Sequence, residues 1–240
     1  MKLSLPLVGR TEVAERTMSF AFDLEGQDFP FKPGQFVNIT LNAPRYQDEA
    51  GNSRSFSIAS SPDDPFLLIA TRMTGSALKR SLAEVALGTR VAVQGPMGSF
   101  VLPQDATRPL ALVAGGIGIT PFRSMIKTVI ERSLPHRLTL FYSNRTPQDA
   151  PFLVELGKLE AQSPNFDLVA TMTAPNGATT TWQGRRGYLD GRTFRGVLGD
   201  PGRCLFYIAG PERMVAGVTH VLIEAGVSED LVRGEEFPGY

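Results

Sequence analysis

The hydrophobic pattern of the chain changes period at residues 102–109, and that change limits what it can fold into. Before it, short β-type runs follow one another closely: FVNITLN (36–42), SFSIAS (55–60), FLLIATRM (66–73) and RVAVQG (90–95). PGQ (33–35), SPDDP (61–65) and GPMG (95–98) supply turn residues between them. This spacing predicts an antiparallel sandwich or barrel. One helix interrupts the series, with Ser76 as N-cap, Leu78, Leu82 and Val85 on one face, and Gly88 as the stop.

LPQDATRP (102–109) reads as a linker, and strands then alternate with helices. LALVAGG (110–116) precedes a helix from Pro121 to about Arg132, and RLTLFYS (137–143) precedes one from about Asp149 to Ala161. FDLVATMT (166–173) leads into an irregular stretch with Trp182 and GRRGYLDGR. LFYIAG (205–210) precedes a helix from Pro211 to about Ala225. Continuous apolar strands joined by helices predict a parallel sheet covered on both faces. The expectation is two unlike domains: an antiparallel β domain over 1–104 and an α/β domain over 105–240.

Charge and cysteine narrow the function. The 24 basic and 24 acidic residues cancel, so no global attraction to nucleic acid or an anionic membrane is expected. The longest apolar runs are too short to cross a bilayer, and MKLSLPLVGR makes a poor signal peptide, which favours the cytoplasm. Cys204 is the single cysteine, which excludes an internal disulfide and a cluster held by four thiolates of this chain. With only His136 and His220 besides, no metal site is expected.

Three strand ends carry the chemistry. AGGIGITPF (114–122) passes from a buried-type strand into a helix. Gly115, Gly116 and Gly118 permit close backbone approach, Thr120 is a candidate cap, and Pro121 suits the first helical position. Free amides at the positive helix end then form an anion site for a pyrophosphate; the bland reading is a tight turn with no ligand. FYIAGPERM (206–214) repeats the logic with Ala209, Gly210 and Pro211. In FYSNRTPQD (141–149), Ser143 and Arg145 can grip a ribose 2′-phosphate, Asn144 or Ser143 can bind a ribose hydroxyl, or the loop is simply solvated. The 2′-phosphate reading favours NADPH over NADH. In the first domain, Arg54 in SRSFSIASS (53–61) is a candidate anion clamp beside the helix that Ser76 opens.

RSFS (54–57), GS (75–76), GPMGSF (95–100), GGIGITPFRSM (115–125), AGPERM (209–214) and EEFPGY (235–240) occur in family order. On these the chain resembles the ferredoxin–NADP reductase superfamily, of the kind found as reductase components of oxygenases. The resemblance implies a Greek-key β-barrel that binds a flavin, FAD rather than FMN, followed by an NAD(P)-binding domain. It implies that Arg54, Ser55, Phe56 and Ser57 line the flavin: Arg54 on phosphate, Phe56 against the ring in place of the usual Tyr, and Ser57 near N5. Met73, Thr74, Gly75 and Ser76 continue that site. Phe237 corresponds to the aromatic that covers the other flavin face, with Tyr240 as the alternative. Ala209 stands where many relatives carry Cys, and Cys204 is five residues earlier.

The implied reaction is hydride transfer from NAD(P)H to the flavin, with electrons passed singly to a separate ferredoxin, flavodoxin or haem protein. Ser57, Phe237 and Glu235 are the residues placed nearest the chemistry, Glu235 or Glu236 assisting proton supply. The chain is expected to act as a monomer without membrane or nucleic acid. The alternatives are a free flavin or ferric reductase, and a flavin-binding subunit that does no chemistry.

Overall fold

The computed structural model describes residues 1–174 and 182–237. It divides into one unit of Met1–Leu102 with Thr120–Thr128 and another of Pro103–Ile119 with Val129–Tyr240.

The first unit is built on six antiparallel strands: β1 (Lys2–Ala14), β2 (Thr17–Asp23), β3 (Phe36–Thr40), β4 (Ser53–Ser57), β5 (Phe66–Arg72) and β6 (Arg90–Met97). Their order is β4-β3-β6-β1-β2-β5, and the bridge Ile58↔Ile69 joins the two ends. The sheet therefore closes into a Greek-key barrel, which removes exposed edges. Inside it, Leu5, Leu7, Phe20, Phe22, Val37 and Ile39 are fully buried.

β1 and β2 were not legible in the sequence. Pro6 and Gly9 interrupt the alternation of β1, because this strand changes partner: Lys2–Pro6 pairs with β6, and Leu7–Ala14 pairs with β2. Pro6 sits at the changeover, where the missing N–H is tolerated. Helix α1 (Ala77–Glu84) follows β5 as expected and buries Leu78 and Leu82.

The second unit is a parallel sheet in the order β10-β9-β8-β7-β11-β12. Its strands are β7 (Leu110–Gly115), β8 (Leu138–Asn144), β9 (Phe166–Met172), β10 (Arg185–Arg186), β11 (Leu205–Gly210) and β12 (Val232–Glu236). Every residue of β7 is buried, as a strand covered on both faces requires. Helix α2 (Ile119–Glu131) follows β7 in the chain, and its Thr120–Thr128 belong to the first unit. The helices of the second unit are α3 (Leu153–Gln162), α4 (Gly191–Leu198) and α5 (Glu212–Glu224). Strand order runs outward in both directions from β7 and β11, so their carboxyl ends form the topological switch point, where open α/β sheets bind ligands.

Three expectations need correction here. α2 begins at Ile119 after a 3₁₀ turn over Gly116–Gly118, so Thr120 and Pro121 lie inside its first turn and are buried. Thr120 is thus not the N-cap. The stretch read as irregular contains α4, whose Asp190 side chain accepts from the Thr193 N–H at 2.7 Å. Beyond the helix from Pro211, the last element expected, the chain adds a further strand, β12, which ends on Glu235 and Glu236 of the EEFPGY tail. Among the described residues no helix is long and apolar enough to cross a membrane.

Candidate functional site

In the barrel unit the polar stretch that ends β4 proves largely satisfied by the protein itself. Ser55 Oγ donates to Asn38 Oδ1 at 2.6 Å, and Ser53 Oγ accepts from Thr40 at 2.9 Å. Ser60 Oγ accepts the Leu68 N–H, and Ser61 Oγ that of Asp63. Ser57, half-buried at the end of the strand, keeps its hydroxyl without a protein partner among the described residues.

β4 pairs Phe56 with Val37 and Arg54 with Ile39, which sets these two side chains on the face of fully buried residues. Phe56 is accordingly only 7% exposed and belongs to the barrel core. That leaves little of its ring for the stacking role the family resemblance implies, and its physical cause is the strand register. Arg54, at 23% side-chain exposure, reaches the barrel rim. Its Nη1 donates to the carbonyls of Ala50, Gly51 and Ser53 at 2.7, 3.0 and 2.7 Å, and its Nη2 donates to Asp48 Oδ1 at 2.9 Å. A guanidinium has five N–H donors. One Nη2–H and the Nε–H therefore remain open as a fork suited to phosphate.

The start of α1 differs from the sequence expectation. Ser76 is the N-cap residue but makes no capping bond, and its buried Oγ has no partner. The Asp48 carboxylate instead accepts the Ala77 N–H at 2.8 Å. The next two amides, of Leu78 and Lys79, meet no protein acceptor among the described residues. Gly75 is exposed, and a Cβ placed on it would meet nothing within 4 Å. Met73 packs against the core, and its N–H donates to the Arg16 carbonyl. An open Arg54 fork beside open helix amides fits a cofactor phosphate.

In the second unit the two glycine turns lock onto each other. A Cβ on Gly118 would stand 2.2 Å from the Ala209 carbonyl oxygen, and one on Gly115 would stand 2.2 Å from Met214 Sδ. Gly118 thus allows a close backbone approach between the ends of β7 and β11, and Gly115 leaves room for the Met214 side chain. Gly116, at φ +53°, makes the turn itself. The buried Tyr142 hydroxyl donates to the Gly116 carbonyl at 3.2 Å, holding the turn against β8. Gly210 sits at φ +155°, a conformation that favours glycine, and its carbonyl accepts the Phe237 N–H at 2.9 Å. Pro211 then starts α5 as its N-cap.

Ser143 pairs with Gly115 at the carboxyl end of β8. Next to it, Asn144 is 5% exposed, and neither Nδ2 nor Oδ1 has a hydrogen-bond partner among the described residues. A buried amide left unpaired is costly, so it marks a place for an external partner. Arg145 is exposed, and its guanidinium is unengaged among the described residues. Ala209 is fully buried and pairs with Glu235 of β12. Glu235 is half-buried, its Oε2 has no partner, and burial raises its pKa to about 7. Cys204 is 4% exposed, and burial pushes its thiol up, as for an inert structural cysteine. Tyr240 lies outside the described residues.

A barrel with a phosphate-receiving rim, followed by a doubly wound sheet with a glycine-lined switch point, defines a two-domain flavoprotein oxidoreductase that uses a nicotinamide nucleotide. Comparison with known proteins agrees. The oxidoreductase FAD-binding domain family matches residues 4–102, and the oxidoreductase NAD-binding domain family matches 112–220. Ferredoxin--NADP reductase B of Sorangium cellulosum is 31% identical over 222 residues, covering 89% of this chain and 88% of that protein. The toluate 1,2-dioxygenase electron transfer component of Pseudomonas putida is 30% identical over 202 residues. That match covers 82% of this chain but 56% of the relative, so the chain spans little more than half of it. Among solved structures, the Amycolatopsis cytochrome P450 reductase GcoB aligns over 99% of this chain and 70% of its own, with a TM-score of 0.84 at 22% identity. A ferredoxin NADP+ reductase from Neisseria gonorrhoeae aligns over 98% of both chains, with a TM-score of 0.81 at 18% identity. The chain belongs to the ferredoxin–NADP reductase family. Its cofactors are FAD and NAD(P)H.

Proposed function

We propose that this chain takes a hydride from NAD(P)H onto bound FAD and passes the electrons to a separate acceptor protein of the ferredoxin, flavodoxin or haem class. Its functional domains divide at residues 104/105, and it works in the cytoplasm as a monomer. The observation that carries the reading is the presence of an anion-receiving site in each unit: the Arg54 fork with the α1 amides, and the Gly116 turn with Asn144 and Arg145. Two such sites suit two nucleotide cofactors. The names of the relatives, a ferredoxin–NADP reductase and an oxygenase electron transfer component, support the same activity.

FAD supplies the two-electron to one-electron conversion when bound. The chain's own residues bind and orient. Arg54 and the α1 terminus hold a flavin phosphate, with Gly75 and the main chain at Met73 leading to it. Ser57 offers its open hydroxyl to the flavin ring, while Phe56 supports the strand from the core side. The amides after Gly115 receive the nicotinamide pyrophosphate, and Thr120 and Pro121 shape the turn behind them. Ser143 and Asn144 hold the ribose, and Arg145 reads a 2′-phosphate, which favours NADPH. Phe237, rather than Tyr240, is the aromatic assigned to cover the flavin. Glu235 holds a proton at Oε2 near neutral pH and is the proton source.

Turnover of NADPH with a panel of acceptors tests the reading. Faster reduction of a ferredoxin, flavodoxin or cytochrome than of free FMN or ferric citrate is the predicted result. Turnover with free flavin or ferric chelate alone would overturn the assignment of a protein acceptor.

A further inference from the structure

We propose that Asp48 is the positioning residue of the flavin phosphate site, a single carboxylate that ties the Arg54 guanidinium to the first amide of α1. The proposal rests on the reading of Arg54 and α1 as that site, and it adds what holds them in register. Asp48 lies in the polar loop between β3 and β4, 29 residues from Ala77 in sequence. Its Oδ1 stands 2.9 Å from Arg54 Nη2 and its Oδ2 2.8 Å from the Ala77 nitrogen. One side chain thus bridges the two devices that a phosphate must meet together. The bridge stands in for the capping bond that Ser76 does not make.

Donor geometry says that a phosphate is received beside Asp48 and not in its place. The carboxylate takes one Nη2–H and one helix amide. Among the described residues the Nε–H and second Nη2–H of Arg54, and the amide of the partly buried Lys79, meet no protein acceptor beside it. The loop carbonyls of Ala50, Gly51 and Ser53 hold Nη1 from the other side, so the guanidinium is clamped in one orientation.

Electrostatics supports the same role. Lys79 is half-buried, and its pKa is depressed by burial and then by the charge of Arg54. Two cations near one another repel, and Asp48 supplies the compensating anion that keeps Arg54 at the helix end. The Ala77 N–H bond, followed by Arg54, holds the Asp48 carboxyl below its usual range, so it stays ionised at neutral pH. The opposite reading makes Asp48 an internal competitor that a phosphate must expel. The two readings differ in sign.

The test follows release of FAD from the diluted holoprotein by recovery of flavin fluorescence, in wild type, Asp48→Ala, Asp48→Glu, Arg54→Lys and the double variant Asp48→Ala/Arg54→Lys. Asp48→Ala should hold FAD about tenfold more weakly, a modest figure for losing a bond to a charged group. Asp48→Glu should recover part of the loss. In the Arg54→Lys background, Asp48→Ala should add little, since both act through one guanidinium. Riboflavin, which carries no phosphate, should bind wild type and Asp48→Ala equally; a merely structural defect would weaken both ligands. Slower FAD release from Asp48→Ala would make Asp48 a competitor and overturn the proposal. Unchanged release from Asp48→Ala with faster release from Arg54→Lys would overturn it too, leaving the phosphate site standing. Unchanged release from Arg54→Lys would bring down the parent reading and this inference together.

Discussion

Replacing Glu235 by Gln removes a carboxyl that the fold holds in an uncomfortable place. Glu235 lies on β12 opposite the buried Ala209, with its Oε2 unpaired, and burial raises its pKa from 4.5 to about 7. Between those two values the folded chain binds a proton that the unfolded chain releases, so stability falls as pH rises through the window. The fall is complete above pH 7 and amounts to at most about 3–4 kcal/mol, at about 1.36 kcal/mol for each pH unit between 4.5 and about 7. Glu235→Gln does not titrate. It should match wild type near pH 4.5 and become progressively more stable than wild type up to about pH 8. Trp182 is the chain's single tryptophan and lies in the second unit, so its fluorescence reports urea unfolding there. Midpoints should diverge with pH while the slopes stay equal. Parallel midpoints across the window would show that Glu235 ionises normally and would refute its role as a proton source at neutral pH.

Gly118→Ala forces a Cβ to within 2.2 Å of the Ala209 carbonyl, so the switch-point turns must part. The unfolding free energy of the second unit, from urea titration, should fall by about 1–3 kcal/mol, with FAD content unchanged and reduction by NAD(P)H impaired. Ser76→Ala removes a hydroxyl that caps nothing, so thermal unfolding of the protein should show less than the roughly 1 kcal/mol lost at an ordinary cap. A full capping loss would mean that Ser76, not Asp48, closes α1. Arg145→Ala should raise the KM for NADPH and leave that for NADH unchanged; equal losses would contradict 2′-phosphate reading.

Some of this was legible in the sequence for physical reasons. The change from closely spaced β runs to strand–helix alternation separated the two classes of domain, because side-chain periodicity follows burial directly. The glycines at the ends of β7 and β11 were legible as special positions, although Gly118 serves a close backbone approach to Ala209 and Gly115 makes room for the Met214 side chain. β1 was missed because a strand that changes partner carries Pro6 and Gly9 where a regular strand would not. α4 was missed because Phe194 is its one buried residue and Gly191 and Gly196 weaken its helical pattern, so only its Asp190 cap announces it. Phe56 was legible as a strand residue, but its 7% exposure needed the register with Val37 that sets it beside the core. Asp48 had no sequence signal at all, since its partner amide lies 29 residues away. Asn144 was visible only as one of several polar loop residues, and its burial without partners needed the fold.

Everything proposed for this chain depends on its moving a hydride from a nicotinamide nucleotide to its own flavin. Anaerobic titration of the purified protein with NADH and NADPH, followed in the visible spectrum, decides whether it does. The flavin spectrum should bleach on addition of about one equivalent of coenzyme, at lower concentrations of NADPH than of NADH. A bound flavin whose spectrum neither coenzyme bleaches would show that the chain does not carry out the transfer.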